Sequence, residues 1–262
     1  MRRFLKLSYD GAPFHGWQRQ PADTSVQQTL EEALATILRE PIELTGAGRT
    51  DTGVNARVMY AHFDSEREIP DKRRFLTGLN RLCGRAIAVE DVFEVPADFH
   101  ARFDARRRTY KYFVAFGKCP FLERMSWQTG MKLDMGLMNQ AAEMLLLTDD
   151  FTSFAKLHSD AKTNICRVSE ARWEEWRNDF GTPGAVFTIS ADRFLRNMVR
   201  AVVGTLVDVG RGKISLPEFR EIIEKKDRCA AGTSMPPQAL FLWDVEYDFP
   251  AAGKDSSRDI LT

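Results

Sequence analysis

Residues 42–63 read IELTGAGRTDTGVNARVMYAHF, a short apolar-alternating start, a glycine-rich centre and a second alternating run. Gly46, Gly48 and Gly53 enclose Arg49, Thr50, Asp51 and Thr52. Glycine reaches backbone torsions closed to other residues and lets a ligand approach closely. The stretch therefore reads as a strand over 42–45, a loop, and a strand over 57–63. What flanks it decides the fold. Residues 3–9 (RFLKLSY) alternate as a strand ended by Asp10-Gly11. Residues 25–39 place Val26, Leu30, Ala33, Leu34 and Ile37 on one helical face, with Ser25 or Thr24 as N-cap. A second helix over 71–82 and a strand over 86–95 follow. The order β-α-β-β-α-β is the split ferredoxin-like unit.

The second half repeats that order without repeating the sequence. It reads as a strand over 109–116, a helix over 134–147, a hairpin of 168–177 with 185–190, helices over 193–209 and 216–225, and a closing strand over 240–247. The predicted fold is α+β, with two ferredoxin-like domains over residues 1–104 and 105–249. Their sheets could lie side by side or lean together around a cleft. The polar end, 250–262, is expected to be a flexible tail.

Composition bounds the function. The 262 residues carry 37 Lys+Arg against 37 Asp+Glu, so net charge gives no push toward nucleic acid, although clustering matters more than the sum. The N-terminal apolar run is too short for a signal peptide, and no stretch approaches the roughly 18–20 apolar residues of a membrane span. Cys83, Cys119, Cys166 and Cys229, with His15, His62, His100 and His158, show no zinc-site spacing. No metal is expected, and the thiols read as reduced and cytoplasmic.

Asp51 lies in an Asp-Thr-Gly triplet, the string that aspartic proteases use in pairs because two coupled carboxylates must share a proton. This chain holds one such triplet, and its helices do not suit the short all-β chains that dimerise to supply the second. The remaining readings are a tight turn and a lone catalytic carboxylate. The run 193–209 (RFLRNMVRAVVGTLVDV) sets Leu195, Met198, Val199, Val202 and Leu206 on one helical face. Arg193, Arg196, Asn197 and Arg200 fall on the other. That face is either solvated or a row of guanidinium groups for phosphates, with one available to a carboxylate. Arg102, Arg106, Arg107, Arg108 and Lys111 interleave with Tyr110 and Tyr112, a mix suited to RNA.

Six segments in order, YDGAPFHGWQRQ (9–20), GRTDTGVNA (48–56), FHARFDARRRTYKYF (99–113), DFTSF (150–154), FLRNMVRAVVG (194–204) and PPQALFLWDVEY (236–247), resemble the tRNA pseudouridine synthase A family over essentially the whole chain. The resemblance implies two ferredoxin-like halves merged around a central antiparallel sheet, with helices on one side and an active-site cleft between the halves. It implies isomerisation of uridine to pseudouridine at positions 38–40 of the tRNA anticodon stem-loop, with no cofactor. The N1–C1′ bond breaks and a C5–C1′ bond forms. Asp51 maps to the family's catalytic aspartate, which can attack C1′ or remove the C2′ proton, giving an acylal or a glycal. Arg200 would pair with Asp51 and keep it ionised, Tyr110 would stack on the base, and Leu240 or Leu242 would pack against it. Arg49 would hold the nucleotide out of its stem. A homodimer in which one tRNA touches both subunits is also implied. The chain departs from the pattern at Asn55 and Asn197, where histidines are usual, and at Ala239, where glycine is. The alternatives are a paralogue with another uridine target and a catalytically weak RNA-binding or RNA-folding protein on the same fold.

Overall fold

The computed structural model describes residues 1–157 and 162–249; the expected tail, 250–262, and His158 lie outside them. Its first half runs β1 (Arg2–Tyr9), α1 (Val26–Leu38), β2 (Thr45–Gly46), β3 (Asn55–Asp64), α2 (Lys72–Leu82) and β4 (Ile87–Val95). The second runs β5 (Ala105–Phe116), β6 (Trp127–Thr129), α3 (Met135–Met144), β7 (Val168–Trp176), β8 (Gly184–Ala191), α4 (Met198–Gly210), α5 (Leu216–Lys225) and β9 (Leu240–Tyr247). Local chemistry starts α1 and α5 where expected. The Ser25 hydroxyl accepts the Gln28 N–H to open α1, and Ser215 and Glu218 form a reciprocal capping box on α5.

One mixed sheet spans the molecule in the order β4-β1-β3-β9-β5-β8-β7, with β2 beside β3 and β6 beside β5. The sheet is not purely antiparallel, which corrects the expectation. β9 inserts between the halves, antiparallel to β5 but parallel to β3, where Asn55 faces Phe241 and Ala56 faces Leu242. β6 also runs parallel to β5. The last strand among the described residues thus closes the seam between the two halves.

Two apolar cores flank that seam and exchange members across it. Leu242 and Val245 of β9 pack into the first-half core, whereas Val54 packs into the second. Tyr110 is half-buried and touches both.

Two further expectations are corrected. The strand over 42–45 shrinks to β2, because side chains of α1 take over the main chain before it. The Glu31 carboxylate accepts the Leu44 N–H at 3.0 Å, and Gln27 donates to the Leu44 carbonyl at 2.9 Å. The helix over 193–209 begins only at Met198, since Asn197 adopts a left-handed conformation (φ 65). α4 is buried nearly all round, so it has no basic face. Arg193 and Arg196 lie in the irregular segment before it.

His62 on β3 is 6% exposed, and its Nδ1 accepts the Ala101 N–H at 3.1 Å. Burial, helped by the charges of Arg2 and His100, pushes its pKa down to about 4. The folded state therefore binds its proton less readily than the unfolded chain. The stabilising contribution is complete above the unfolded value of 6.5 and drains away as pH falls toward 4. Urea melts should lose up to about 3 kcal/mol over that window through this residue. His62→Gln should flatten the slope, and an unchanged slope would contradict the assignment.

Candidate active site

The loop between β2 and β3 is cradled by the segment 9–20 that follows β1. The Tyr9 and Thr50 hydroxyls lie 2.8 Å apart, and the Trp17 N–H donates to the Thr50 carbonyl at 3.2 Å. Asn55 accepts the Gly11 N–H and donates to the Gln238 carbonyl, both at 2.8 Å, and so ties the loop's far end to the approach of β9. Gly16 has φ +91, and a β-carbon there would stand 2.6 Å from the Thr50 carbonyl oxygen. At Gly46 a β-carbon would strike the Trp17 ring. Gly16 thus lets backbone press on backbone and Gly46 makes room for the Trp17 ring, which together fix the main chain on either side of Asp51.

The Asp51 carboxylate faces two guanidinium groups. Arg196 Nε lies 3.7 Å from Oδ1, and Arg200 Nη1 lies 3.8 Å from Oδ2. Both are ion-pair contacts beyond hydrogen-bond length, so the oxygens sit in a positive field without being saturated. The two arginines differ in exposure and anchoring. Arg200 is 19% exposed, and its Nε donates to the Met235 carbonyl at 2.6 Å; Arg196 is 63% exposed.

Beside this pair, Tyr110 and Tyr112 of β5 face Leu242 and Leu240 of β9 in register. Both leucines are buried, one in each core, and form an apolar floor at the seam. The Tyr110 ring meets Phe194 edge-on at 4.9 Å. Burial raises its pKa, Arg108 opposes that rise and the Asp51 charge adds to it, so the ring stays a neutral phenol. Arg49 is exposed and forms no ion pair among the described residues. Space beside it is open, because a β-carbon at Gly48 would meet nothing within 4 Å.

The structure thus brings Asp51, Arg200, Tyr110, Leu240 and Leu242 to one seam and leaves Arg49 on its rim. It adds Arg196, whose spacing of four from Arg200 was the only hint in the sequence. Much of the basic run after residue 102 is spent elsewhere. Arg106 pairs with Asp248 and Arg107 with Glu246, while Lys111 stacks over Trp243 at 4.7 Å. The departures have structural uses: Asn197 donates to the Ser234 hydroxyl at 2.6 Å, and Ala239 is fully buried.

The arrangement supplies a carboxylate facing two cations, an aromatic ring and an apolar floor, which suits a nucleoside. Comparison with known proteins agrees with it. A family model described as tRNA pseudouridine synthase matches residues 7–104 and 141–248. The tRNA pseudouridine synthase A of Bacteroides thetaiotaomicron is 50% identical over 261 residues, covering 100% of this chain and 96% of that protein. Its namesake from Bacteroides fragilis is 52% identical over 246 residues, covering 94% and 96%. That of Caldicellulosiruptor bescii is 38% identical over 245 residues, covering 93% and 98%. Identity of this depth along the whole length, on a chain that folds its shared segments around one carboxylate, means that it belongs to the tRNA pseudouridine synthase family.

Proposed function

We propose that this protein isomerises uridine to pseudouridine at positions 38–40 of the tRNA anticodon stem-loop, with Asp51 as the catalytic carboxylate. The observation that carries the reading is the Asp51 carboxylate held between Arg196 and Arg200 above the Tyr110–Leu242 floor. The carboxylate acts on the ribose by attack at C1′ or removal of the C2′ proton. In either route the electron pair of the N1–C1′ bond leaves with uracil. The freed ring turns against Tyr110 and the leucines and bonds to C1′ through C5. That bond displaces the Asp51 oxygen from C1′ in the first route, and the C2′ proton returns from Asp51 in the second. The ring then loses the C5 proton and gains one at N1. Nothing is consumed, as an isomerisation requires.

Extruding the uridine costs a few kcal/mol of stacking and pairing. Arg49, exposed beside open space, is placed to hold the displaced nucleotide, and Tyr110 offers its ring in exchange for the lost neighbours.

The same reading divides the chain at residue 104 into two ferredoxin-like domains. Strand orders β4-β1-β3-β2 and β9-β5-β8-β7 support it, since each places the unit's fourth, first, third and second strands side by side. We assign a homodimer in the cytoplasm. Half-buried Phe113, Trp176, Phe241 and Trp243, with ring centres 5.0–5.6 Å from Phe113, form an apolar sheet surface suited to a second copy. No helix among the described residues is long and apolar enough to cross a membrane.

Mapping pseudouridines in tRNA from cells with and without the gene tests the proposal. We expect loss confined to positions 38–40. Loss at another uridine would give the chain a different target, and an unchanged map would leave an RNA-binding protein without this chemistry.

A further inference from the structure

Arg108 on β5 makes four hydrogen bonds, all to main-chain carbonyls. Its Nη1 donates to Ala105 at 3.1 Å and to Asp192 at 2.7 Å. Its Nη2 donates to Ala47 at 2.8 Å and to Arg102 at 2.6 Å. Each Nη carries two hydrogens, so all four are used. The guanidinium pairs with no carboxylate among the described residues, unlike its neighbours Arg106 and Arg107. An arginine recruited for charge would seek an acid; this one is spent on geometry.

The carbonyls belong to Arg108's own strand and to three other segments of the chain. Ala47 begins the loop carrying Asp51. Arg102 belongs to the crossing from the first half to the second, and Ala105 is the first residue of Arg108's own strand. Asp192 heads the irregular segment bearing Phe194 and Arg196. Asp51 lies four residues beyond Ala47, and Arg196 four beyond Asp192. One rigid, planar fork therefore anchors both the carboxylate's loop and the segment of its facing cation, whose separation is 3.7 Å.

We infer that Arg108 is a positioning residue, fixing the Asp51 loop against the Arg196 segment so that carboxylate and guanidinium face each other before RNA arrives. The inference rests on the reading of Asp51 as the catalytic group. It follows from the sensitivity of a reacting group to placement. A displacement of about 1 Å from remote mutation can cost on the order of 100-fold in rate. Lysine supplies the same charge but gathers three donors at one point, and cannot span carbonyls on three segments.

The test uses the full chain and full-length tRNA. Arg108→Lys and Arg108→Gln are compared with the unaltered protein for single-turnover pseudouridine formation, tRNA Kd and thermal melting, with Asp51→Asn in parallel. Both Arg108 variants should fold, keep the Kd, and lose about 10–100-fold in rate. Wild-type turnover in Arg108→Lys would mean that charge alone matters, and would overturn the inference. So would a loss of Kd matching the loss of rate, which would make Arg108 an RNA contact. Loss of the fold in both variants would make it a purely structural residue, with the same consequence. Full turnover in Asp51→Asn would instead remove the reading beneath it.

Discussion

Asp51→Asn should eliminate pseudouridine formation, by about 10⁴-fold or more, while leaving tRNA binding intact. Asparagine matches aspartate in shape but offers neither the negative charge needed at C1′ nor a base for the C2′ proton, so both routes close together. The fold should not suffer. Asp51 is partly exposed, and its contacts to Arg196 and Arg200, at 3.7 and 3.8 Å, are ion pairs rather than hydrogen bonds. A pair with an exposed partner such as Arg196 contributes about 0–1 kcal/mol, and neither contact is a hydrogen bond that asparagine would break, so the melting transition should move little. Binding should hold or tighten, because removal of one negative charge leaves two guanidinium groups free for phosphates. Tritium release from tRNA labelled at uridine C5, with binding measured alongside, checks all three expectations. Turnover within tenfold of the unaltered protein would end the assignment.

The parts of this site that were legible in the sequence are those whose meaning is local. A glycine-bracketed Asp51 between two alternating runs announces a loop held tightly and open to a ligand, and the segment 9–20 is readable as a motif. Its physical purpose, backbone pressed on backbone at Gly16 and the Trp17 ring seated against Gly46, appears only in three dimensions. The parts that were hidden depend on pairing over long separations. Nothing near residues 240–247 says that they will lie parallel to β3, 185 residues earlier, yet that pairing closes the seam under the site. Nor does the run Arg106-Arg107-Arg108 reveal that its members diverge. A bulge opposite β9 between Ala105 and Arg107 shifts the register, the first two arginines reach Asp248 and Glu246, and the third turns to the carbonyls. The basic face expected on 193–209 failed for a related reason. Apolar periodicity foretold a buried stripe, but the left-handed Asn197 delays the helix until Met198, where burial is almost complete.

That late start also separates the roles of Arg200 and Arg196. Arg200 sits in the first turn of α4, its Nε held by the Met235 carbonyl at 2.6 Å while its own carbonyl accepts the Met235 N–H at 3.1 Å. With one edge of the guanidinium so fixed, the remaining nitrogens face Asp51 at a set angle. A lysine at this position must choose between the carbonyl and the carboxylate, since its single ammonium cannot reach both in the same geometry. Arg200→Lys should therefore lower kcat on the order of 100-fold, and Arg200→Ala on the order of 1000-fold, with smaller changes in KM. Each should also cost about 1–3 kcal/mol of stability, because the buried Met235 carbonyl loses its charged donor. Arg196, whose side chain is largely in solvent and pairs among the described residues only with Asp51 at 3.7 Å, should behave differently. Arg196→Lys keeps a mobile cation near Asp51 and the RNA, and should alter KM and the salt dependence of binding more than kcat. Steady-state kinetics at two salt concentrations separates the cases. If Arg200→Lys kept its kcat while Arg196→Lys lost it, the anchored and the mobile arginine would have to exchange roles, and the fixed edge at Met235 would carry no catalytic meaning.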